Sequence, residues 1–405
     1  MCGESEVRAG GRLGAVGAGR LPGHVNTNRL DVHLGRTLRS SGPSTVYDLA
    51  AGEAGVEGES HVSRTERLDL IKQIEAARGS RLLVAIWGDR ENLQTIIAPD
   101  AHAVCFQNLE KMGHVAKLDV LLYTTGGQTL AAWGLANLLR EYCDSLSILI
   151  PHRALSAGTL LTLAADEILM SRLGQLSPID PSITSPLGPT IPIATMPGQQ
   201  QVVPISVEDV IGFIALATDA AGLKEERSIL SVFDRLSSQV HPMALGAVYR
   251  SREQIVSLAD RLLSFHMKGD DEKEDRERIV SRLTREMGSH DYLIGRTEAK
   301  NFLKLKVADA PADLEQKILA LFEEYSNLLE LRQPFNPEVY VGANQQATCT
   351  LNRAIVESTE HTTVFRTIME LERVQMQMQM MGVPGLRPAF QERRTFESWI
   401  TDQAV

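Results

Sequence analysis

The chain has 405 residues, of which 43% are hydrophobic and 23% are charged, so it can bury a sizeable core in one large domain or two ordinary ones. Its 41 basic and 51 acidic residues give a net charge of −10, which argues against a nucleic-acid-binding surface and against attachment to anionic membranes. Four widely spaced cysteines without a CxxC pair favour free thiols in a reducing compartment over a disulfide framework or a zinc site.

Hydropathy gives no sign of a membrane-spanning segment. No apolar run reaches the ~20 residues that a membrane-spanning helix needs. The first residues contain arginines but lack the apolar core of a secretion signal. We therefore predict a cytoplasmic protein with no integral membrane segment, which would need a peripheral membrane partner to act at a bilayer.

The N-terminal stretch differs in composition from the rest of the chain. Residues 1–60 are rich in Gly, Arg and Ser and show no sustained periodicity. Such a stretch cannot bury enough apolar surface to order itself. It is predicted to be a disordered leader, or to reflect a misplaced translation start. Order is predicted to begin with a helix that Ser63 caps and Gly79 ends.

From residue 81 onward, short apolar runs alternate with amphipathic stretches. The apolar runs predict strands over 81–88, 118–125, 146–151 and 168–170. The amphipathic stretches predict helices over 100–113, 128–142 and 156–167. This alternation indicates an α/β fold with βαβ units, a parallel sheet and right-handed crossovers.

The alternation of apolar and amphipathic stretches ends after residue 170. Residues 171–205 are rich in proline and predict a long ordered loop, a lid or a subunit contact. Helices are predicted over 206–221, 224–238, 244–267 and 273–287, and a βα-like piece closes a domain of residues 63–310. Residues 311–405 are predicted to hold a helix over 312–331, a small β-rich segment and a Met-rich tail for packing or subunit contact.

Two glycines mark the junction between a predicted strand and a predicted helix in "LLYTTGGQTLAAWGL". Such a junction lets the backbone approach a ligand closely and presents peptide N–H groups to it. It suits a phosphate, a carboxylate or a developing oxyanion. The pattern matches neither the P-loop nor the full dinucleotide fingerprint, so a nucleotide is not expected there.

A second strand–turn–helix junction, "SILIPHRALSAGTLLTLAADE", places Ser156 at a helix start. One interpretation is that Ser156 only caps the helix with its hydroxyl. The other makes Ser156 a nucleophile, with the amides of Gly127 and Ala157 facing one oxyanion. The small residues Ala157 and Gly158 leave room for a substrate backbone. The GxSxG sequence of the α/β-hydrolases is absent.

The two junctions together with "LGQLSPIDPSI" resemble the Clp-fold serine peptidases, which include the Clp protease subunit and signal-peptide peptidase A. Within that group the chain is most similar to the serine dehydrogenase proteinase (SDH) family, over about residues 80–310. The resemblance implies a ClpP/crotonase-like superhelix of ββα units with added helices. It also implies a homo-oligomer that hydrolyses peptide or unfolded-protein substrates through an acyl-enzyme on Ser156, with Gly127 and Ala157 as oxyanion hole. No cofactor or metal is expected.

The general base is the least determined part of this hypothesis. The Clp protease subunit carries a histidine in the turn that here reads "LSPIDPSI", where Ile179 or Asp180 stands instead. A Clp-type triad is therefore not carried over, although Asp291 falls on the segment that resembles the one with the triad acid. His241 is the favoured base, and Lys224 and His290 are the alternatives. His152 and His266 are predicted to be structural.

Substrate contacts are predicted around the glycines, at Thr125, Gly126 and Gln128, where an extended peptide could add to the sheet edge. Two other functions remain open at this point. One is a non-catalytic Clp-fold scaffold that has lost its base. The other is a crotonase-type acyl-CoA enzyme, in which the same oxyanion hole would stabilise a thioester enolate. The second needs a phosphate-binding surface, for which the sequence shows no clear basic cluster.

Overall fold

A computed structural model of the chain describes residues 64–179, 190–196, 199–204, 207–287, 289, 291–380 and 383–402. The predicted leader, the capping Ser63, Asp180 and His290 lie outside the described residues. Among the helices that are described, none combines the length and apolar character that crossing a lipid bilayer requires. The thiols of Cys105, Cys143 and Cys349 are free and buried, as the cysteine spacing predicts.

The helices of the described residues follow the predicted amphipathic stretches closely. They are α1 (Arg64–Arg78), α2 (Asp100–Met112), α3 (Thr129–Glu141), α4 (Ala157–Thr162), α5 (Val207–Ala215), α6 (Glu226–Gln239), α7 (Pro242–Leu263), α8 (Lys273–Ser281), α9 (Arg296–Asn301), α10 (Ala312–Leu328) and α11 (Pro337–Val341). Short π-helical turns, Leu216–Ala220 and Arg282–Glu286, extend α5 and α8. The helix predicted over 156–167 ends early, because Asp166 already donates its N–H to the Leu146 carbonyl as the chain enters the next strand.

The strands form one large sheet and two small ones. They are β1 (Arg81–Trp87), β2 (Val115–Tyr123), β3 (Cys143–Ile150), β4 (Glu167–Met170), β5 (Gln175–Leu176), β6 (Thr190–Met196), β7 (Gln199–Pro204), β8 (Ile294–Gly295), β9 (Val307–Ala308), β10 (Gln346–Glu357), β11 (Thr362–Met380) and β12 (Val383–Thr401). The large sheet has the order β12-β11-β10-β1-β2-β3-β4-β9, while β5 pairs with β8 and β6 with β7. Strands β1, β2, β3, β4 and β9 are parallel, so the predicted α/β fold is confirmed.

The parallel strands are apolar on both sides because helices cover both faces of the sheet. In β1, Leu83 and Trp87 pack in the cluster that contains α2, α3 and α4. Leu82 and Ile86, one position along, pack in the cluster that contains α1 and α10. This double burial is why the runs read as continuous apolar segments rather than as alternating ones.

The C-terminal strands extend this same sheet. β10 pairs antiparallel with β1, with Ile86 opposite Ile355, and β11 and β12 continue outward. β11 and β12 have 19 residues each, which makes this part longer than the small β-rich segment that the sequence suggests. The predicted lid region contains β5 and the β6–β7 hairpin. The division of the chain at residue 310 stays a prediction.

Candidate active site

Ser156 stands between β3 and α4 in an unusual backbone conformation. Its φ is +51° and its ψ is −112°. A non-glycine residue with such a φ is strained by about 1–3 kcal/mol and is held there only by its surroundings. The turn is pinned to the end of β2, because Leu155 donates its N–H to the Thr124 carbonyl at 3.0 Å. The Ser156 hydroxyl makes no capping hydrogen bond to α4.

The Gly-Gly turn lies directly against this serine. A Cβ added to Gly126 would come within 2.8 Å of the Ser156 Cβ and 3.3 Å of its Oγ. Gly126 and Gly127 have φ values of +122° and +152°, which favour glycine. The two junctions that the sequence singles out are therefore brought together, with no room for a side chain between them.

Two backbone amides at this point have no acceptor among the described residues. One is the N–H of Gly127, in the turn, and the other is the N–H of Ala157, in the first turn of α4. The first N–H groups of a helix have no partner within the helix. The Gly127 amide follows Gly126, which packs against the Ser156 side chain, and the Ala157 amide directly follows Ser156 in the chain. They are available to an oxygen that carries negative charge.

The backbone of Ile97 also holds the Gly126–Gly127 turn, a role that the sequence did not indicate. Ile97, in the segment before α2, donates its N–H to the Gly126 carbonyl at 2.9 Å. Its own carbonyl accepts the N–H of Gln128 at 2.8 Å. This two-bond bridge orients the peptide groups around Gly127. Nothing in the residue type of Ile97 signals the role, since only backbone atoms take part.

Two hydroxyl side chains also support the site, in a role that the sequence did not indicate. The Ser177 hydroxyl, which is 2% exposed, accepts the Ser156 N–H at 2.7 Å and donates to the Pro178 carbonyl at 3.0 Å. Thr124 is buried, and its Oγ1 accepts the Gly126 N–H at 3.0 Å. The only sequence signal for Ser177 is a short polar residue before a proline in "LSPID".

Of the candidate bases, His241 and Lys224 lie in the described part of the chain, and neither makes a hydrogen bond with Ser156. Among the described residues, the Ser156 hydroxyl has no hydrogen-bond partner. His241 is exposed and caps α7, where its Nδ1 accepts the Met243 N–H at 3.2 Å. α7 packs in the core through residues such as Ala259, and at 1.5 Å per residue the helix runs roughly 27 Å between His241 and Ala259. Lys224 is exposed before α6.

The predicted acid Asp291 is exposed, and its N–H donates to the Ser289 hydroxyl at 3.3 Å. It lies just before β8, which pairs with β5 so that Ile294 is opposite Leu176. Leu176 directly precedes Ser177, the residue that accepts the Ser156 N–H. The chain segment with Asp291 is thus tied to the segment that supports the nucleophile, although no contact joins Asp291 to Ser156 among the described residues.

His152 and His266, the two histidines predicted to be structural, contact residues other than Ser156. His152 packs against Tyr123 and Phe322, and burial lowers its pKa below the ordinary value. His266 contacts the Leu163 carbonyl through Nε2 at 3.1 Å, and burial lowers its pKa to about 4. Both are therefore neutral at physiological pH.

The predicted substrate-contact residues surround the glycine turn. Thr125 is half-buried, Gly126 is buried and Gln128 is exposed. The Gln128 side chain makes no capping hydrogen bond to α3. Both flanking side chains are accessible from the solvent beside Gly127.

Comparison with known proteins gives matches to parts of the chain. Residues 59–200 match the sequence model of a family described as ClpP-like SDH-type serine proteinase. Uncharacterized protein MJ1495 of Methanocaldococcus jannaschii is 33% identical over 125 residues, which are 29% of this chain and 42% of that protein. Uncharacterized protein MJ0137 of the same organism is 27% identical over 132 residues, 31% of this chain and 46% of that protein. The chain thus spans less than half the length of these two relatives.

Among solved structures, a mutant of ClpP1 from Listeria monocytogenes is similar over 60% of this chain and 97% of its own, with 12% identity and a TM-score of 0.31. The family match covers both glycine-marked junctions, Gly126–Gly127 and Ser156–Gly158, which carry the resemblance in the sequence. Residues 59–200 therefore match the ClpP-like SDH-type serine proteinase family, in agreement with the resemblance that the sequence shows.

Proposed function

We propose that this protein is a serine peptidase that cleaves peptide bonds through an acyl-enzyme on Ser156. The observation that carries the proposal is the conformation of Ser156, at φ +51°, with its hydroxyl uncapped and packed against Gly126. Unpaired amides of Gly127 and Ala157 adjoin it among the described residues. A strained serine beside two free amides is an arrangement that serves nucleophilic attack better than it serves stability.

In the proposed reaction the Ser156 Oγ attacks the carbonyl carbon of the scissile bond, and its proton passes to a general base. The Gly127 and Ala157 N–H groups stabilise the oxyanion that forms. The C–N bond then breaks, the amine leaves with a proton from the base, and an ester on Oγ remains. A water molecule hydrolyses this ester, and the Ser156 hydroxyl is restored.

The base is proposed to come from a second copy of the chain. His241 is the favoured residue, because it is exposed at the N-terminal end of α7, far along that helix from the half that packs in the core. Lys224 and His290 are the alternatives, and Asp291 is the proposed acid. This arrangement makes homo-oligomer formation a condition for activity.

The proposed substrate is an extended peptide or an unfolded protein segment. Thr125 and Gln128 flank Gly127 and are accessible, so a strand-like substrate can lie along this edge with its carbonyl at the two amides. Neither a cofactor nor a metal enters the reaction.

One observation favours a second candidate, the non-catalytic scaffold. Among the described residues no histidine or lysine nitrogen makes a hydrogen bond with the Ser156 hydroxyl, so in this part of the chain the two amides stand without a base. The scaffold and the peptidase differ in one measurable property, which is the reactivity of Ser156.

The test is covalent labelling with a fluorophosphonate probe, read by intact mass and peptide mapping. The wild type is compared with Ser156→Ala and with Ser238→Ala, which removes an exposed hydroxyl on α6. We expect labelling of the wild type and of Ser238→Ala at Ser156, and none of Ser156→Ala. A folded oligomeric wild type that is not labelled would refute the peptidase and favour the scaffold.

The base is assigned by mixing variants. If His241 acts across a subunit boundary, Ser156→Ala and His241→Gln subunits are each inactive, but mixed oligomers regain part of the peptide hydrolysis. Lys224→Met and Asp291→Asn are tested in the same way. A His241→Gln homo-oligomer with wild-type activity would exclude His241 as the base.

A further inference from the structure

We propose that Arg353, on the C-terminal strand β10, is a positioning residue for the oxyanion site, acting with Glu397 on β12 through the segment that carries Ile97. The inference rests on the proposed function, since it concerns the geometry of the Gly127 amide. It extends the machinery to strands outside residues 59–200, the part that matches the peptidase family.

Arg353 contacts the segment before α2 through its guanidinium. The Arg353 side chain is largely buried, and its Nε donates to the Leu93 carbonyl at 3.0 Å. One terminal nitrogen donates to the Gln94 carbonyl at 2.8 Å. The other forms an ion pair with Glu397 at 2.7 Å. The guanidinium is therefore held by a carboxylate on one side and holds two loop carbonyls on the other.

A second anchor fixes the next residue of the segment. Thr95 donates its N–H to the Gly88 carbonyl at 2.8 Å, and its hydroxyl lies within hydrogen-bond distance of the Gly88 and Arg353 carbonyls, at 3.1 and 3.2 Å. The Gly88 N–H in turn donates to the Arg353 carbonyl at 3.0 Å. Side chain and backbone of Arg353 thus together hold residues 93 to 95.

Ile97 connects this segment to the glycine turn. Ile97 follows two residues after Thr95 and makes the two-bond bridge to the glycine turn, from its N–H to the Gly126 carbonyl and from the Gln128 N–H to its carbonyl. A Cβ on Gly127 would lie 2.2 Å from the Ile97 carbonyl oxygen, so the two backbones already touch. A shift of Ile97 must therefore move the peptide groups on either side of Gly127.

The hydrogen-bonding geometry of the guanidinium explains why position 353 carries an arginine. The Leu93 and Gln94 carbonyls each accept one of its donors, and loss of the guanidinium would leave the carbonyl of the buried Leu93 without this donor. A planar guanidinium reaches two carbonyls and a carboxylate with fixed geometry, which a lysine ammonium does not reproduce. An apolar side chain could fill the same space, so the polar contacts of Arg353 indicate that it positions the segment before α2.

The experiment compares Arg353→Met with Arg276→Met. Arg276 on α8 is a matched control, because it also binds one carboxylate, of Asp260 at 2.9 Å, and one loop carbonyl, of Met267 at 2.7 Å. Both variants lose a partly buried ion pair and are expected to be destabilised. Glu397→Gln keeps an acceptor for Arg353 and serves as the milder variant if Arg353→Met does not fold.

Two readouts are taken on full-length protein at a temperature where each variant is folded. Hydrogen exchange by mass spectrometry should show faster exchange of the peptides covering residues 93–100 and 124–130 in Arg353→Met, but not in Arg276→Met. Fluorophosphonate labelling of Ser156 should slow by about tenfold to a hundredfold in Arg353→Met relative to Arg276→Met. With a peptide substrate, kcat should fall more than KM rises, since the oxyanion contacts act in the transition state.

The outcomes separate this inference from the proposed function. Unlabelled wild type refutes the peptidase, while the exchange experiment still tests the positioning role. Labelled wild type with equal labelling rates in Arg353→Met and Arg276→Met overturns the inference and leaves the peptidase intact. Equal exchange of residues 124–130 in both variants also overturns it.

Discussion

Gly127 has almost no space for a side chain, which makes Gly127→Ala the sharpest perturbation of the site. The added Cβ would lie 2.2 Å from the Ile97 carbonyl oxygen, 2.5 Å from its nitrogen and 2.8 Å from its carbonyl carbon. All three atoms belong to backbone, so no side-chain rotation relieves the contact. The φ of +152° is itself unfavourable for alanine.

The magnitude follows from what must move. An ordinary contact begins near 3.4 Å, so Ile97 and Gly127 must separate by about 1 Å. The separation breaks the bridge of two hydrogen bonds, at 2.9 and 2.8 Å, each worth about 1 kcal/mol net. With backbone strain added, we expect the free energy of unfolding to fall by about 3 kcal/mol. A displacement of this size at an oxyanion donor should slow acylation of Ser156 by about a hundredfold.

Gly134, on α3, supplies the control within the same stretch of sequence. A Cβ there would meet only the His102 ring, at an ordinary 3.5 Å. Gly134→Ala should therefore raise the free energy of unfolding by roughly 0.5–1 kcal/mol, through helix propensity. Both variants are measured by urea unfolding and by the fluorophosphonate labelling rate. Wild-type labelling and stability in Gly127→Ala would show that the close approach to Ile97 has no role.

Three further changes test the remaining contacts. Ser156→Gly should relieve the strained φ and raise the unfolding free energy by about 1 kcal/mol while abolishing labelling, and an unchanged or lower stability would contradict the strain. Ser177→Ala should lower the free energy of unfolding by about 1–3 kcal/mol, because the Ser156 N–H loses its acceptor. An unaltered urea midpoint would contradict a stabilising role of that contact. Burial and Lys306 lower the pKa of His266 to about 4, so the unfolded chain, with a pKa near 6.5, binds the extra proton. Stability contributed by His266 is thus complete above about pH 6.5 and is lost towards pH 4. The free energy of unfolding of His266→Asn should therefore fall by about 2 kcal/mol less than that of the wild type over this interval, and equal falls would contradict the shift.

Local pattern was enough to predict much of the fold. The apolar runs that become β1, β2 and β3 and the amphipathic stretches that become α1, α2 and α3 lie within a few residues of their predicted limits. Each of these elements has a periodicity and a boundary that its own residues specify. The β6–β7 hairpin lay in a proline-rich stretch that local signals described only as a loop or lid.

The residues of the candidate site also divide into those with a local sequence signal and those without one. Gly126, Gly127 and Ser156 could be singled out because the two junctions occur together in the order and spacing of the family that they resemble, whereas a serine at a helix start by itself also serves as a cap. Ile97 acts through its backbone, and Arg353 lies far along the chain, so neither carries a local signal of its role. A general base in contact with Ser156 was not found among the described residues, and its identity stays a prediction.

Residues close together in the chain were enough to indicate the α/β fold, the family resemblance over residues 59–200 and the two junctions that carry the proposed chemistry. The way those junctions meet follows from the tertiary structure. The strained φ of Ser156, the bridge from Ile97 and the hold of Arg353 on the loop come from contacts between residues far apart in sequence. Such contacts depend on backbone positions that strand pairing sets, and periodicity does not encode them.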